Sequence, residues 1–345
     1  MRAAKMIRAA AITALGLSFL WGCGEKETQD PEKISVGVTS YNQSDTFLGE
    51  LLGAFKEDLE ELERGDLSIT VTIRDAAGSQ RTQDDQVREL IGAGCDVLCV
   101  NLVDRADPSE IIDLARDNEI PIIFFNREPV AEDLMQWDKL YYVGADARQS
   151  GIMQGELAAA AIQADSQIDR NKDGKIQYVV LEGEPGHQDA IIRTEDAVET
   201  LRDSGVKLEK LSYGIANWNR GQAQNRMEQM INQYQNQIEL VLANNDDMAL
   251  GALDAYEKSN ITETSLPLVF GIDGTAAGLE AVEQSRLAGT VYNDKEGQAE
   301  AMAKLAVAVV TGEGLEELDI QEERYIRLPY AKVTRENVHE FSCNQ

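Results

Sequence analysis

Asp169, Asn171, Asp173 and Gln177 occupy positions 1, 3, 5 and 9 of the run Asp-Arg-Asn-Lys-Asp-Gly-Lys-Ile-Gln, and Gly174 stands at position 6. Hard divalent cations take six to eight oxygen ligands. This spacing aims side-chain oxygens at one point, while the glycine allows the sharp turn and Lys175 at position 7 offers its backbone carbonyl. The run is the first three-quarters of an EF-hand loop, and Ca2+ is the expected ion. Position 12 is Val180 rather than glutamate, and Ile176 to Glu182 has the β-branched composition of a strand rather than of an exiting helix. A bidentate carboxylate must therefore come from elsewhere in the chain. A simple polar helix-to-strand turn is the competing reading, but it leaves the glycine at position 6 and Ile176 at position 8 unexplained.

A second set of polar residues follows the β-branched runs of the chain. It comprises Tyr41-Asn-Gln-Ser-Asp45-Thr-Phe47, Asn101, Glu184-Pro-Gly-His187-Gln-Asp189, Asn244-Asn245-Asp246, Asp273 and Asn293-Asp294, with Arg193 one helical turn beyond Asp189. Carboxylates and carboxamides form two hydrogen bonds in a plane, and Phe47 and Trp218 offer flat apolar faces. A pyranose needs both, because its vicinal hydroxyls are donor-acceptor pairs and its C–H faces are apolar. Taken singly, each Asn or Asp could be a helix cap or turn former. Likewise, Asp189 and Arg193 could be a surface ion pair, and Trp218 could be core filling. Six strand ends with one polar theme favour a shared site.

The elements that must position these groups alternate. Strand-like runs at Ile34 to Thr39, Leu67 to Ile73, Asp96 to Leu102, Pro121 to Asn126, Tyr141 to Gly144, Ile176 to Glu182, Ile238 to Asn244, Leu266 to Asp273 and Gly289 to Asn293 are separated by helical stretches. One such stretch is Phe47 to Leu62, whose apolar residues follow a 3.6 period. Near-continuous apolar strands between helices predict an α/β fold with parallel sheets covered on both faces, and ligands then sit beyond the carboxyl ends of the strands. A length of 345 residues predicts about two domains, and 43% hydrophobic residues are enough to build their cores. The 61 acidic against 32 basic side chains give a net charge of −29, which argues against nucleic acid as a partner. Cys95 and Cys99 would lie about 13 Å apart along an extended strand, too far to bridge, and read as buried apolar thiols.

At the N-terminus, Arg2, Lys5 and Arg8 precede the uncharged stretch Ala9 to Gly22, too short to span a bilayer and suited to the core of a secretory signal. It ends in Leu20-Trp-Gly-Cys23 and is followed by a polar tether, which resembles a bacterial lipobox. The expectation is an exported chain with signal peptide 1–22 and tether 23–33, lipid-anchored through Cys23 on the outer face of the cytoplasmic membrane.

Beyond these readings, Val36-Gly-Val-Thr, Val100-Asn-Leu-Val-Asp104, Ile123-Phe-Phe-Asn126, Tyr142-Val-Gly144, the calcium loop, Glu184-Pro-Gly-His187, Ala243-Asn-Asn-Asp246, Phe270-Gly-Ile-Asp273 and Ala288-Gly-Thr-Val-Tyr-Asn293-Asp resemble the bacterial periplasmic D-galactose/D-glucose-binding proteins. The similarity runs from about residue 34 to the C-terminus, and the calcium loop joined to Glu-Pro-Gly-His is its most specific part. The resemblance implies two Rossmann-like lobes of the type I periplasmic binding protein, joined by three crossings near Ile120, Tyr292 and Leu328. On that basis one lobe holds residues 34–119 with 293–327, and the other 120–292 with 328–345. The sugar contacts it implies are Asp45, Phe47, Asn101, His187, Asp189, Arg193, Trp218, Asn245, Asp273 and Asn293. Glu239 would supply the carboxylate missing from the calcium loop.

It also implies a monomer with no chemistry of its own that delivers D-glucose or D-galactose to the permease and ATPase subunits of an ABC importer. A sugar sensor docking to a chemoreceptor or sensor kinase is the alternative. A glycoside hydrolase would need only two carboxylates across an acetal, and Asp45, Asp189 and Asp273 are available. However, contacts to every hydroxyl of a free monosaccharide leave no place for an aglycone.

Overall fold

A computed structural model of the chain describes residues 32–65, 67–259, 261 and 265–342. The expected signal peptide, Cys23 and the tether up to residue 31 lie outside the described residues, while Glu32 and Lys33 already belong to the first strand. In order, the chain forms β1 (Glu32–Ser40), α1 (Thr46–Leu62), β2 (Leu67–Asp75), α2 (Gln80–Gly92), β3 (Val97–Val100), α3 (Ser109–Asp117), β4 (Ile122–Phe125), α4 (Ala131–Leu134) and β5 (Leu140–Ala145). It continues through α5 (Ala147–Ala164), β6 (Ile176–Glu182), α6 (Gln188–Asp203), β7 (Leu208–Ile215), α7 (Arg220–Tyr234), β8 (Leu240–Ala243), α8 (Asp246–Glu257), β9 (Leu268–Phe270), α9 (Ala276–Glu283) and β10 (Thr290–Asn293). It closes with α10 (Lys295–Thr311), β11 (Tyr325–Leu328), β12 (Tyr330–Val333) and α11 (His339–Ser342).

Two parallel sheets result, as the alternating pattern predicts. The first has strand order β11-β5-β4-β3-β1-β2 and the second β7-β6-β8-β9. β10 pairs antiparallel with β12 and reaches the second sheet through bridges between Phe270 and Gly289 and between Asp273 and Tyr292. The first crossing is not at Ile120. Leu98 pairs with Ile122 and Phe125 with Val143, which keeps β4 and β5 in the first sheet, and the chain leaves that lobe only after Ala145. The other passages run from Asn293 into α10 and from Leu328 to Tyr330. The lobes are therefore residues 32–145 with 294–328, and 146–293 with 330–342.

Each sheet buries apolar strands under helices. α1 begins at Asp45, whose Oδ1 accepts the Leu48 N–H at 3.0 Å, and buries Phe47, Leu48, Leu51, Leu52, Phe55 and Leu59. That face packs with Val36 and Val38 of β1 and with Met302, Leu305 and Ala306 of α10. Phe55 is fully buried, so truncating it to alanine would cost about 3–5 kcal/mol. Cys95 and Cys99 are free and buried, and burial pushes the Cys95 thiol up to about 11. Among the described residues, no helix is long and apolar enough to cross a membrane.

Candidate functional site

A small cleft lies between the lobes. Asp45, Phe47, His187, Asp189, Arg193, Trp218 and Asp273 line it, as do Tyr41, Asn126 and Arg127. The first group was expected from sequence and comes from strand ends of both lobes.

In the first lobe, Asp45 caps α1 with Oδ1, and its Oδ2 accepts the Tyr41 hydroxyl at 2.7 Å. Burial, reinforced by the Asp45 carboxylate, raises the phenol far above its ordinary range, so Tyr41 stays a donor. The Arg127 guanidinium lies 3.5 Å from the centre of the Tyr41 ring, gives Nη1–H to the Val103 carbonyl at 3.0 Å and reaches Glu184 of the other lobe at 2.9 Å.

In the second lobe, His187 caps α6, its Nδ1 accepting the Asp189 N–H at 3.2 Å. Burial lowers the imidazole to about 4, with the Asp189 carboxylate opposing, so at neutral pH the ring is uncharged and Nε2–H is its free donor. Its ring packs edge-to-face with Trp218, with centroids 5.1 Å apart and planes at 76°. Trp218 is held in the left-handed region at φ 61°, following Asn217 at φ 51°. Its ring lies so close to Gly183 that a Cβ there would overlap it, which is why glycine follows β6.

Arg193, on the first turns of α6, is buried. Its Nη1 donates to the Asn244 carbonyl at 2.7 Å and stands 3.5 Å from Asp273, its Nη2 donates to the Tyr330 hydroxyl at 3.2 Å, and Asp189 lies at 4.0 Å. Its Nε–H is buried with no hydrogen-bond partner, in a side chain that lines the cavity. Burial raises the Asp273 carboxyl, with Arg193 pulling the other way, and Asp273 adopts a strained φ of 114°.

The asparagines expected at the site do not line the cavity. Asn101 accepts the Tyr41 N–H at 3.2 Å and donates to Phe125 O and Asn126 Oδ1, both at 3.0 Å. Asn245 caps α8 through Met248 N–H and donates to the Trp218 carbonyl at 3.2 Å. Asn293 accepts from Gln298 Nε2 at 2.7 Å. They hold neighbouring strand ends in place. Arg127 was passed over, although it stands just beyond a β-branched and aromatic run and the same strand-end rule would have found it.

The loop 169–177 sits apart from this cavity. Asp169 Oδ2 accepts Gly174 N–H at 2.9 Å, Asn171 Oδ1 accepts Asp173 N–H at 2.8 Å, Asp173 Oδ1 accepts Lys175 N–H at 2.8 Å, and Gln177 Nε2 donates to Asp173 Oδ2 at 2.9 Å. Gly174 has φ 79°, as the sharp turn requires. Glu239, buried just before β8, reaches the loop and accepts Arg170 N–H at 2.6 Å and Gln177 N–H at 3.1 Å. Asp169 Oδ1 is buried and has no hydrogen-bond partner. Among the described residues, no three His, Cys, Asp or Glu side chains alone form a metal cluster. The carboxylates here are interleaved with the amides of Asn171 and Gln177.

A family model described as a periplasmic binding protein domain matches residues 36–314. The chain is a periplasmic binding protein. Within this family it is 35% identical to the D-galactose/methyl-galactoside binding periplasmic protein of Haemophilus influenzae, over 89% of this chain and 91% of that protein. It is 30% identical to a putative rhizopine-binding protein of Rhizobium meliloti, over 89% and 92%. Among solved structures, a Bacillus halodurans ABC transporter solute binding protein with bound myo-inositol is 31% identical, with a TM-score of 0.76 and 92% of this chain and 100% of that one covered. These relatives are solute-binding proteins rather than enzymes, and the family implies an extracytoplasmic place of work.

Proposed function

We propose that the protein binds D-glucose or D-galactose in the interlobe cavity and hands it to the permease and ATPase subunits of an ABC importer, held to the outer face of the cytoplasmic membrane through a lipid on Cys23. The observation that carries this reading is the convergence of Phe47 and Trp218 with Asp45, His187, Asp189, Arg193 and Asp273 on one small cavity between the lobes. In it the two aromatic rings stack on the C–H faces of the sugar. The three carboxylates accept from hydroxyls, while His187 Nε2–H and Arg193 Nε–H donate. The galactoside-binding relative and the solute-binding structure holding myo-inositol support a ring of hydroxyls as the ligand class.

Ca2+ belongs to the proposal as a structural ion. Asp169, Asn171, Asp173, Gln177, the Lys175 carbonyl and Glu239 fit it, because Asp169 Oδ1 is buried without a partner and Glu239 already reaches the loop. When bound, the ion would cross-link the loop to the start of β8.

A thermal-shift panel of hexoses, pentoses, xylitol and myo-inositol tests the ligand class. A rise in Tm with glucose or galactose well above that with the others is the expected result. A response confined to myo-inositol or to pentoses would contradict it.

A further inference from the structure

Tyr330 is the first residue of β12, immediately beyond the third crossing, and it is buried. Its hydroxyl accepts from Arg193 Nη2 at 3.2 Å. Its backbone N–H donates to Gln149 Oε1 at 2.8 Å, close to where the first crossing enters α5. Across the antiparallel ladder it faces Asn293, the last residue before the second crossing, and Asn293 Oδ1 accepts from Gln298 of α10, which packs on the first lobe. One residue therefore touches all three passages between the lobes and also the guanidinium on the cavity wall. Burial pushes the phenol up to about 12, which keeps it neutral at any physiological pH.

Hinge closure is absorbed by a few dihedrals at element ends, and these three passages are where the chain can absorb it. Arg193 keeps a buried Nε–H without a partner, so a ligand acceptor there would fix a group that already holds Tyr330. We propose that Tyr330 is the positioning residue that couples occupancy of the sugar site to the hinge, through the Arg193 hydrogen bond on one side and the Gln149 and Asn293 contacts on the other. The inference rests on the sugar-binding reading. A ligand shifts the lobes only by binding the closed arrangement better, and this contact is one through which that preference reaches the hinge.

Tyr330→Phe keeps the ring and removes only the hydroxyl. Calorimetry with glucose and galactose should show Kd weakened about tenfold, the scale of a lost hydrogen bond to a charged group. Small-angle scattering should show a smaller ligand-induced contraction than in the wild type, while the Tm of the sugar-free protein changes little. Gln149→Ala lies outside the cavity lining and breaks the hinge side of the same link, so it should also reduce the contraction. Unchanged Kd and contraction in both variants, with a wild type that binds hexose, overturn the coupling alone. A large loss of Tm in sugar-free Tyr330→Phe together with full contraction in Gln149→Ala makes Tyr330 a packing residue and also overturns it. A wild type that binds no hexose overturns the sugar reading and the coupling with it.

Discussion

Arg127 of the first lobe and Glu184 of the second meet at 2.9 Å, with the arginine side chain only 5% exposed and the glutamate 34%. With Thr46 donating to Asp247 at 2.7 Å and Ala276 N–H donating to Glu50 at 3.0 Å, they tie the lobes together across the cleft. Because such contacts exist only when the lobes approach, they favour the closed state. Glu184→Gln should therefore weaken hexose binding about three- to tenfold, mainly through faster dissociation. Stopped-flow dissociation rates on the variant check this, and an unchanged rate would show that the pair contributes nothing to closure.

Gly183 should not tolerate a side chain. A methyl group there meets the Trp218 ring, so Gly183→Ala must displace the ring or bend the end of β6. The expected cost is about 1–3 kcal/mol of stability, with hexose affinity lowered at least tenfold because a stacking face is lost. Urea unfolding and calorimetry on one preparation measure both.

Asp246 gives a pH dependence with a definite sign. Its carboxyl accepts from Thr275 N–H at 2.8 Å and from the Thr275 and Thr290 hydroxyls at 3.3 and 2.6 Å, yet burial still pushes it up to about 7. In the unfolded chain it titrates near the usual value of about 3.9. The folded state therefore keeps a proton that the unfolded state has lost between these values. The resulting stabilisation is full below about pH 4 and declines as pH rises to about 7, by on the order of 4 kcal/mol. Asp246→Asn removes that slope. The stability of the wild type minus that of the variant should fall across this window in urea titrations, and parallel curves would contradict the assignment.

Chelation should lower the Tm of the sugar-free protein, and millimolar Ca2+ should restore it. Glu239→Gln keeps the shape and one acceptor but removes a carboxylate, so most of the calcium-dependent part of the Tm should disappear. Equal Tm with and without chelator in the wild type would show that the loop works without metal.

The sequence made the second sheet's central strand plain. Ile176 to Glu182 centres on the apolar run Tyr178-Val-Val-Leu181 and is bounded by the loop and by Gly183, so composition and punctuation agreed on its ends. β7 escaped because it is an edge strand whose Glu209, Lys210 and Tyr213 face solvent, which breaks the apolar run. The first crossing was misplaced for a related reason. Ile122–Phe125 looks the same in either lobe, and only its pairing with β3 and β5 assigns it. In the site, residue types at strand ends pointed to Asp45, Phe47, His187, Asp189, Trp218 and Asp273 of the lining but not to Arg127. They could not separate Asn101, Asn245 and Asn293, whose amides face the protein rather than the cavity, from true lining residues, since Asn suits both tasks.

Calorimetric titration of the protein with D-glucose and D-galactose in calcium-containing buffer, with Trp218→Ala alongside, tests hexose binding most directly. Saturable binding at one site per chain is expected for at least one of the two hexoses, with its loss or severe weakening in the variant. No saturable heat with either hexose, or equal binding by Trp218→Ala, would contradict it.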